Sequence, residues 1–374
     1  MKKYSFSGLD NCLKPLLKKG VERGVFSGAA VGLYKHSQKG GEKRIVCYGK
    51  TKKYPEATFI KENTLFDLAS LTKPLCTVLL ILHLIENKKL SWETNVNPFF
   101  GTKKAFFLKE IQIAHLLSHS SGLAAYVPFY QYFQPLQKKD NKKKLLALIS
   151  KEKLFYETGK KCLYSDIGYI LLGNIIEKVS GKKLDVIFRD KIVSPIKLEK
   201  QLMFRPVDIF ATHHSKNIAA TQYCPWRQRL LQGEVDDEHC WLMNGVAGHA
   251  GLFGTIQGVL DLTVHLLHQW QGRSEHPEYS KVLLQKALTR PYHDQTWCMG
   301  FDTPAQHNSS AGNRISKESV GHLGFTGTSF WIDPVKDMVF VLLTNRVHPT
   351  RKNDKIKTFR PLLHNTIIRA LEKE

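Results

Sequence analysis

The sequence is short of acids. Its 33 Asp and Glu stand against 55 Lys and Arg, for a formal net charge of +22. An excess this large invites a nucleic-acid or phospholipid partner. The lysines, however, come in short clusters, Lys103-Lys104, Lys142-Lys143-Lys144 and Lys160-Lys161, with no long basic arm. That pattern reads as a solvated, lysine-rich surface rather than a specific nucleic-acid site. Long apolar runs are lacking too. The N-terminus has a basic start but no apolar core of the kind a secretory signal peptide carries. The most apolar stretch, near Val78 to Ile85, is too short to span a bilayer. A cytoplasmic location without a membrane span is the expectation.

The cysteines form no recognisable framework. There are seven, Cys12, Cys47, Cys76, Cys162, Cys224, Cys240 and Cys298, an odd number with no C-x-x-C. Reduced thiols fit a chain of this size better than disulfides. His213, His214, Cys224, His239, Cys240 and His249 crowd one stretch, but their spacings match no standard zinc pattern. No metal or cofactor is expected. No G-x-S-x-G elbow is present either, which argues against an α/β-hydrolase.

The 374 residues, 42% of them hydrophobic, can bury a large core. Residues 7–21 read as a helix, and 28–34 and 44–49 as strands joined around Gly40-Gly41. Residues 70–87 are apolar almost all round and read as a buried helix. A mostly helical middle follows, with helices near 112–119, 142–151 and 166–180 and loops between about 205 and 250. Residues 319–333 and 338–344 read as two strands, the second a nearly continuous apolar run and so the central one. A helix at 355–372 closes the chain. The expected fold class is α/β (α+β): one antiparallel sheet built from both chain ends, flanked by helices. The chain reads as a single domain, with residues 1–100 and 255–374 forming the sheet part and 101–254 a helical insertion.

Ser70-Leu71-Thr72-Lys73 is an S-x-x-K motif. Residues i and i+3 share a helix face, so the spacing places an amine beside a hydroxyl. A serine hydroxyl needs a base to become a nucleophile, and a desolvated lysine can supply it. Three other matches, Ser150…Lys153, Ser180…Lys183 and Ser194…Lys197, read as chance pairs on a wet surface. Only Ser70 opens a long buried helix, with Pro74 tolerated in its first turn. The alternative role for Ser70 is a plain helix cap.

The segment Phe66-Asp-Leu-Ala-Ser-Leu-Thr-Lys73 resembles the active-site segment of the serine β-lactamase and penicillin-binding-protein superfamily, in particular its class C-like and esterase branch. That family carries S-x-x-K, then Y-x-N, then K-T-G or H-x-G. Tyr164-Ser165-Asp166 matches the second element, with Asp166 where asparagine is usual; there it is expected to pair with Lys73. His322-Leu323-Gly324 matches the third. The resemblance runs from about residue 25 to 350 and implies a β-lactamase/transpeptidase-like fold. It implies acyl transfer through Ser70, with Lys73 and Tyr164 moving protons and His322 polarising the site or relaying a proton. The N–H groups of Ser70 and Phe325 would hold the oxyanion, and Gly324 would let substrate approach the backbone. Asn345 or Arg346 would bind an acidic group, in part replacing the lysine that His322 displaces.

His115 and His119 are read as structural, and His249 and Asp236 as shaping a loop near the site mouth. The expected partner is a small-molecule or peptide acyl substrate. Loss of the K-T-G charge favours esters or amides over β-lactams and D-alanyl peptides. A non-catalytic binding protein on the same fold is the competing class. Nothing in the sequence bears on oligomeric state.

Overall fold

A computed structural model describes residues 6, 8–37, 40–100, 110–135, 140–205, 217–292 and 294–372. Lys103-Lys104 and His213-His214 lie outside them. Five strands form the main sheet: β1 (Gly28–Ser37), β2 (Gly40–Gly49), β3 (Val320–Leu323), β4 (Ser329–Asp333) and β5 (Met338–Thr344). Their spatial order is β2-β1-β5-β4-β3, antiparallel throughout. The N-terminal hairpin therefore docks on the C-terminal meander, with Gly32 opposite Val341 at the junction.

Strand β5 is buried along its whole length, because helices cover both sheet faces. Successive side chains of a strand point to opposite faces, and β5 divides accordingly. Met338, Phe340 and Leu342 pack with Leu13 and Leu17 of α1 (Leu9–Glu22) and with Phe359 and Leu363 of the C-terminal helix Ile356–Glu372. Val339, Val341 and Leu343 join the larger core with Ile256 and Leu260 of the helix Ile256–Gln271. An unbroken apolar run is what a strand covered on both sides requires.

The stretch 319–333, expected as one strand, is two. Gly324 to Thr328 turn the chain back between β3 and β4, with the Gly324 N–H donating to Thr328 O at 2.8 Å and the Gly327 N–H to Gly324 O at 3.0 Å. Gly327 takes φ +101°, a conformation L side chains avoid. The buried helix near residue 70 also departs from a plain α-helix. Ala69–Leu71 is a 3₁₀ turn, Lys73–Val78 a wider π turn, and only Leu79–Glu86 is α-helical. Pro74 has no N–H for the carbonyl four residues back, so the standard ladder fails at that point. The run Ala69–Glu86 is long and apolar enough to cross a bilayer, but it is 83% buried inside the protein, and its apolarity serves the core.

Short strands that the alternation did not signal lie in, and just before, the mostly helical middle. Phe66–Asp67 and Leu202–Phe204 flank Leu252–Gly254 in a three-stranded sheet. That pairing holds the chain just ahead of Ser70. Leu343, fully buried in β5, reports on the whole arrangement. Leu343→Ala should lower unfolding stability by about 2–5 kcal/mol, read by urea denaturation; a loss below about 1 kcal/mol would contradict a rigid central strand.

Candidate active site

Ser70 sits in the 3₁₀ turn at the head of the buried helix. Ala69, just before it, has φ +47°, a strained value for a residue with a Cβ. The Asp67 carboxylate holds that turn, accepting the Ala69 N–H at 2.9 Å and the Asp236 N–H at 2.7 Å. Burial, with Asp236 nearby, pushes the Asp67 pKa up to about 7.

Lys73 is wholly shielded from water. Its Nζ donates to Ser70 Oγ at 3.0 Å, to Asp166 Oδ1 at 2.6 Å and to the His249 carbonyl at 3.1 Å. An ammonium has three hydrogens, and these are its three acceptors. The charge also lies 4.8 Å from the centroid of the Tyr164 ring. Burial works against the ammonium, but Asp166 and then Tyr164 outweigh it, and the Lys73 pKa stands above that of an ordinary lysine. Burial raises the Tyr164 pKa above that of an ordinary tyrosine, against the opposing pull of the Lys73 ammonium.

Tyr164 and Asp166 reach the site because Ser165 between them caps a helix. Ser165 Oγ accepts the Gly168 N–H at 3.2 Å, starting Asp166–Ser180. Asp166 projects from its first turn, where a carboxylate is favoured. This is the Lys73 pairing expected from the departure from asparagine at this position.

The β3–β4 hairpin forms the opposite wall. Thr326 Oγ1 donates to Asp67 O at 2.7 Å and Thr328 Oγ1 to Leu68 O at 3.1 Å, tying the hairpin to the strand before Ser70. A Cβ on Gly324 would lie 1.9 Å from Thr328 Oγ1 and 2.8 Å from Leu68 O. Gly324 is thus required by the hairpin itself, and not only by an approaching substrate. Phe325, half-exposed at the turn, lines the pocket beside Ser70.

His322 is fully buried, not a surface strand residue. Its Nδ1 lies 2.8 Å from Leu323 O, so Nδ1 carries the proton of the neutral ring. Burial, with Lys73 second, lowers its pKa to about 3. His322 is therefore neutral across the physiological range.

One expectation raised by the sequence fails here for a physical reason. Asn345 is buried away from the pocket. Its amide accepts the Gly28 N–H at 3.0 Å and donates to Ser27 Oγ at 2.7 Å and Thr51 O at 3.0 Å. It fastens β1 and cannot bind a substrate. Arg346 lines the pocket as expected; its Nε donates to the Phe325 carbonyl (2.7 Å) and its Nη1 to those of Arg351 (3.3 Å) and Asn353, it stacks on the Phe325 ring at 4.5 Å, and none of these bonds uses Nη2. It braces the hairpin turn.

Other residues belong to the site although no motif marks them. Trp297 and Asp302 line the pocket. His119, read as structural, packs its ring 4.6 Å from Tyr164 and 4.8 Å from Trp297, and its Nδ1 accepts the Ser165 N–H at 3.1 Å, which is a structural role beside Tyr164. Arg360, from the C-terminal helix, donates to Gly324 O at 3.0 Å and Thr328 O at 2.9 Å. No spacing signals these residues, since each arrives from a distant part of the chain.

Of the His/Cys stretch, His249 pairs with Asp237 at 2.8 Å and Cys240 Sγ donates to Ala250 O at 3.2 Å. Asp236 is held by Arg351. These contacts shape the loop that presents the His249 carbonyl to Lys73. Among the described residues no group of three or more His, Cys, Asp or Glu is placed to hold a metal.

Replacing Asp166 by Asn removes the largest attraction on the Lys73 ammonium and leaves burial dominant. The Lys73 pKa should fall below its wild-type value, measured by NMR titration of 13C-labelled lysine. An unchanged or higher value would refute this electrostatic account. In wild type the raised Lys73 pKa contributes stability where pH lies below the pKa of an ordinary lysine and the partner carboxylate is ionised. The contribution is lost as pH rises through the higher folded-state value.

Comparison with known proteins agrees with this fold. A family model described as Beta-lactamase matches residues 13–364. The chain is 31% identical over 361 residues to the N-acetylmuramyl-L-alanine amidase of Bacillus subtilis (strain 168), covering 88% of this chain and 80% of that protein. It is 30% identical over 326 residues to a putative D-alanyl-D-alanine carboxypeptidase of Escherichia coli (strain K12), covering 80% and 75%. Among solved structures, the fold resembles EstCE1, a hydrolase with promiscuous acyltransferase activity, with TM-score 0.74, 19% identity and coverage of 96% and 98%. It also resembles the octameric penicillin-binding protein homologue from Pyrococcus abyssi, with TM-score 0.69, 19% identity and coverage of 94% and 77%. With its antiparallel sheet, and with Ser70 and Lys73 in contact, the chain belongs to the beta-lactamase family of serine hydrolases.

Proposed function

We propose that the chain cleaves an amide or ester through a Ser70 acyl-enzyme, and that its natural substrate is an amide of alanine. The observation that carries this reading is the dry contact between Lys73 Nζ and Ser70 Oγ at 3.0 Å, in a pocket open to solvent. In the first half-reaction the Ser70 Oγ–carbonyl bond forms and the bond to the leaving amine or alcohol breaks. The Ser70 proton passes through Lys73 and Tyr164 to the leaving group. The N–H groups of Ser70 and Phe325 face the developing oxyanion. Water then reverses the sequence and releases the acid.

As an ammonium with three acceptors, Lys73 has no lone pair for the Ser70 proton. Turnover therefore draws on the fraction of molecules in which that proton has moved away. Asp166 keeps this fraction small near neutrality, so activity should climb with pH.

The amide assignment is supported by the name of the 31%-identical relative, N-acetylmuramyl-L-alanine amidase. The second reading, a D-alanyl peptidase, is supported by the putative carboxypeptidase relatives. Against it stand His322 and Leu323, which supply neither the permanent charge nor the hydroxyl that would hold a carboxylate beside the scissile bond.

Intact mass spectrometry after a fluorophosphonate probe should show one adduct that is absent in Ser70→Ala, and turnover in that variant should fall at least about a thousandfold. Labelling by fluorescent penicillin as well would favour the peptidase reading; no Ser70-dependent adduct with either would favour a non-catalytic protein. In Asp166→Asn the acid limb of the kcat/KM profile should move to lower pH. A shift to higher pH would count against Lys73 as the group that must lose its proton.

A further inference from the structure

A second cleft lies beside the Ser70 pocket and is the larger of the two, ≈ 930 Å³ against ≈ 330 Å³. Lys357, in the first turn of the C-terminal helix, lines both cavities. Arg290, on the wall of the second, also acts electrostatically on Asp302 in the first. The two cavities are thus neighbours along one rim.

The charged groups lining the second cleft are Arg290, Lys317 and Lys357, and among the described residues no carboxylate lines it. The rest of the lining is largely neutral and polar, including Asn308, Asn313 and Asn365. The walls are built, not loose. The Asn313 N–H donates to Asn365 Oδ1 at 3.0 Å, and Gly312 (φ +87°) lies so close that a Cβ there would be 2.4 Å from the same oxygen. Ser316 Oγ donates to Asp333 Oδ1 at 2.7 Å, pinning the loop to the end of β4.

Free positive charge is distributed unevenly between the two cavities. The two arginines lining the Ser70 pocket, Arg346 and Arg360, donate to main-chain carbonyls of the hairpin. Lys357 pairs with Asp354 at 3.8 Å, and both side chains are largely exposed, which makes a weak pair. Arg290, Lys317 and Lys357 therefore gather cationic side chains in the second cleft, away from the reacting carbonyl.

We propose that the second cleft is a substrate subsite for the acidic distal part of a peptide, whose carboxylates lie beyond the bond that Ser70 attacks. This deepens the hydrolase reading and rests on it. The substrate it specifies carries its negative charge remote from the scissile bond, not beside it.

The test uses fluorescein-labelled tetraglutamate, with tetraserine as the neutral control, and two independent readouts. Fluorescence anisotropy on Ser70→Ala protein measures binding without turnover. Competition with fluorophosphonate labelling of the wild-type enzyme measures whether the bound peptide reaches the site. Tetraglutamate should bind and slow labelling, and tetraserine should do neither. Lys317→Glu and Arg290→Gln should each weaken binding roughly fivefold or more. Lys153→Glu, an equal charge reversal outside the cleft, should leave binding unchanged.

Absence of tetraglutamate binding, or equal weakening by Lys153→Glu, would overturn the subsite. Binding that leaves fluorophosphonate labelling untouched would also overturn it, leaving an anion patch separate from the site. If Ser70 resists fluorophosphonate altogether, the hydrolase reading fails; the anisotropy result still decides whether the cleft binds acidic peptide.

Discussion

A lysine ammonium cut off from water must find all its acceptors inside the protein, and Lys73 finds them on three separate parts of the chain. Ser70 is one turn away, Asp166 opens a helix from the middle of the sequence, and the His249 carbonyl belongs to a loop further on. Losing one acceptor would leave a buried donor unmatched, at a cost of about 1–3 kcal/mol or more for a charged group. The ion pair with Asp166 therefore orders the site as well as tuning it. It holds the head of the Asp166–Ser180 helix, and with it Tyr164, against the turn that carries Ser70.

The same economy of acceptors governs the other wall. The β3–β4 hairpin offers carbonyls at Gly324, Phe325 and Thr328, and each receives a guanidinium N–H from Arg360 or Arg346. Arg360 is so deeply buried that its pKa is lowered to about 9. These arginines fix the position of the Phe325 backbone relative to Ser70, a placement that an oxyanion site must hold to within a fraction of an ångström. Arg290, Lys317 and Lys357 line the cleft beyond, with Lys357 bordering the Ser70 pocket as well. Between the walls, the rings of His119, Tyr164, Trp297 and His322 pack together. Both imidazoles are held neutral by burial, and it is the Lys73 ammonium that contacts Ser70 Oγ.

Much of this protein is written locally and so could be read from the chain alone. The apolar run of β5, the buried helix after Ser70, the Ser165 cap and the order of S-x-x-K, tyrosine and H-x-G motifs depend on neighbours a few residues apart. The fold class and the Ser70–Lys73 contact follow from those signals. The resemblance they carry then located Tyr164 and His322. Where local reading went astray, a local break was hidden inside an apolar pattern. The hairpin within 319–333 and the π turn after Pro74 both preserve the alternation or apolarity that suggested one continuous element.

Tertiary structure alone decided which side chains remain available. The four S-x-x-K pairs share one spacing, and burial separates them: Lys153, Lys183 and Lys197 are exposed while Lys73 is dry. Asn345 carries the right chemistry for an acidic ligand, but Gly28, Ser27 and Thr51 occupy its amide. Lys73 meets Asp166 across 93 residues and His249 across 176. Charge state and hydrogen-bond availability depend on burial and on partners that distant, which no residue spacing encodes; short-range periodicity sets only the element, the face and the pair one turn apart.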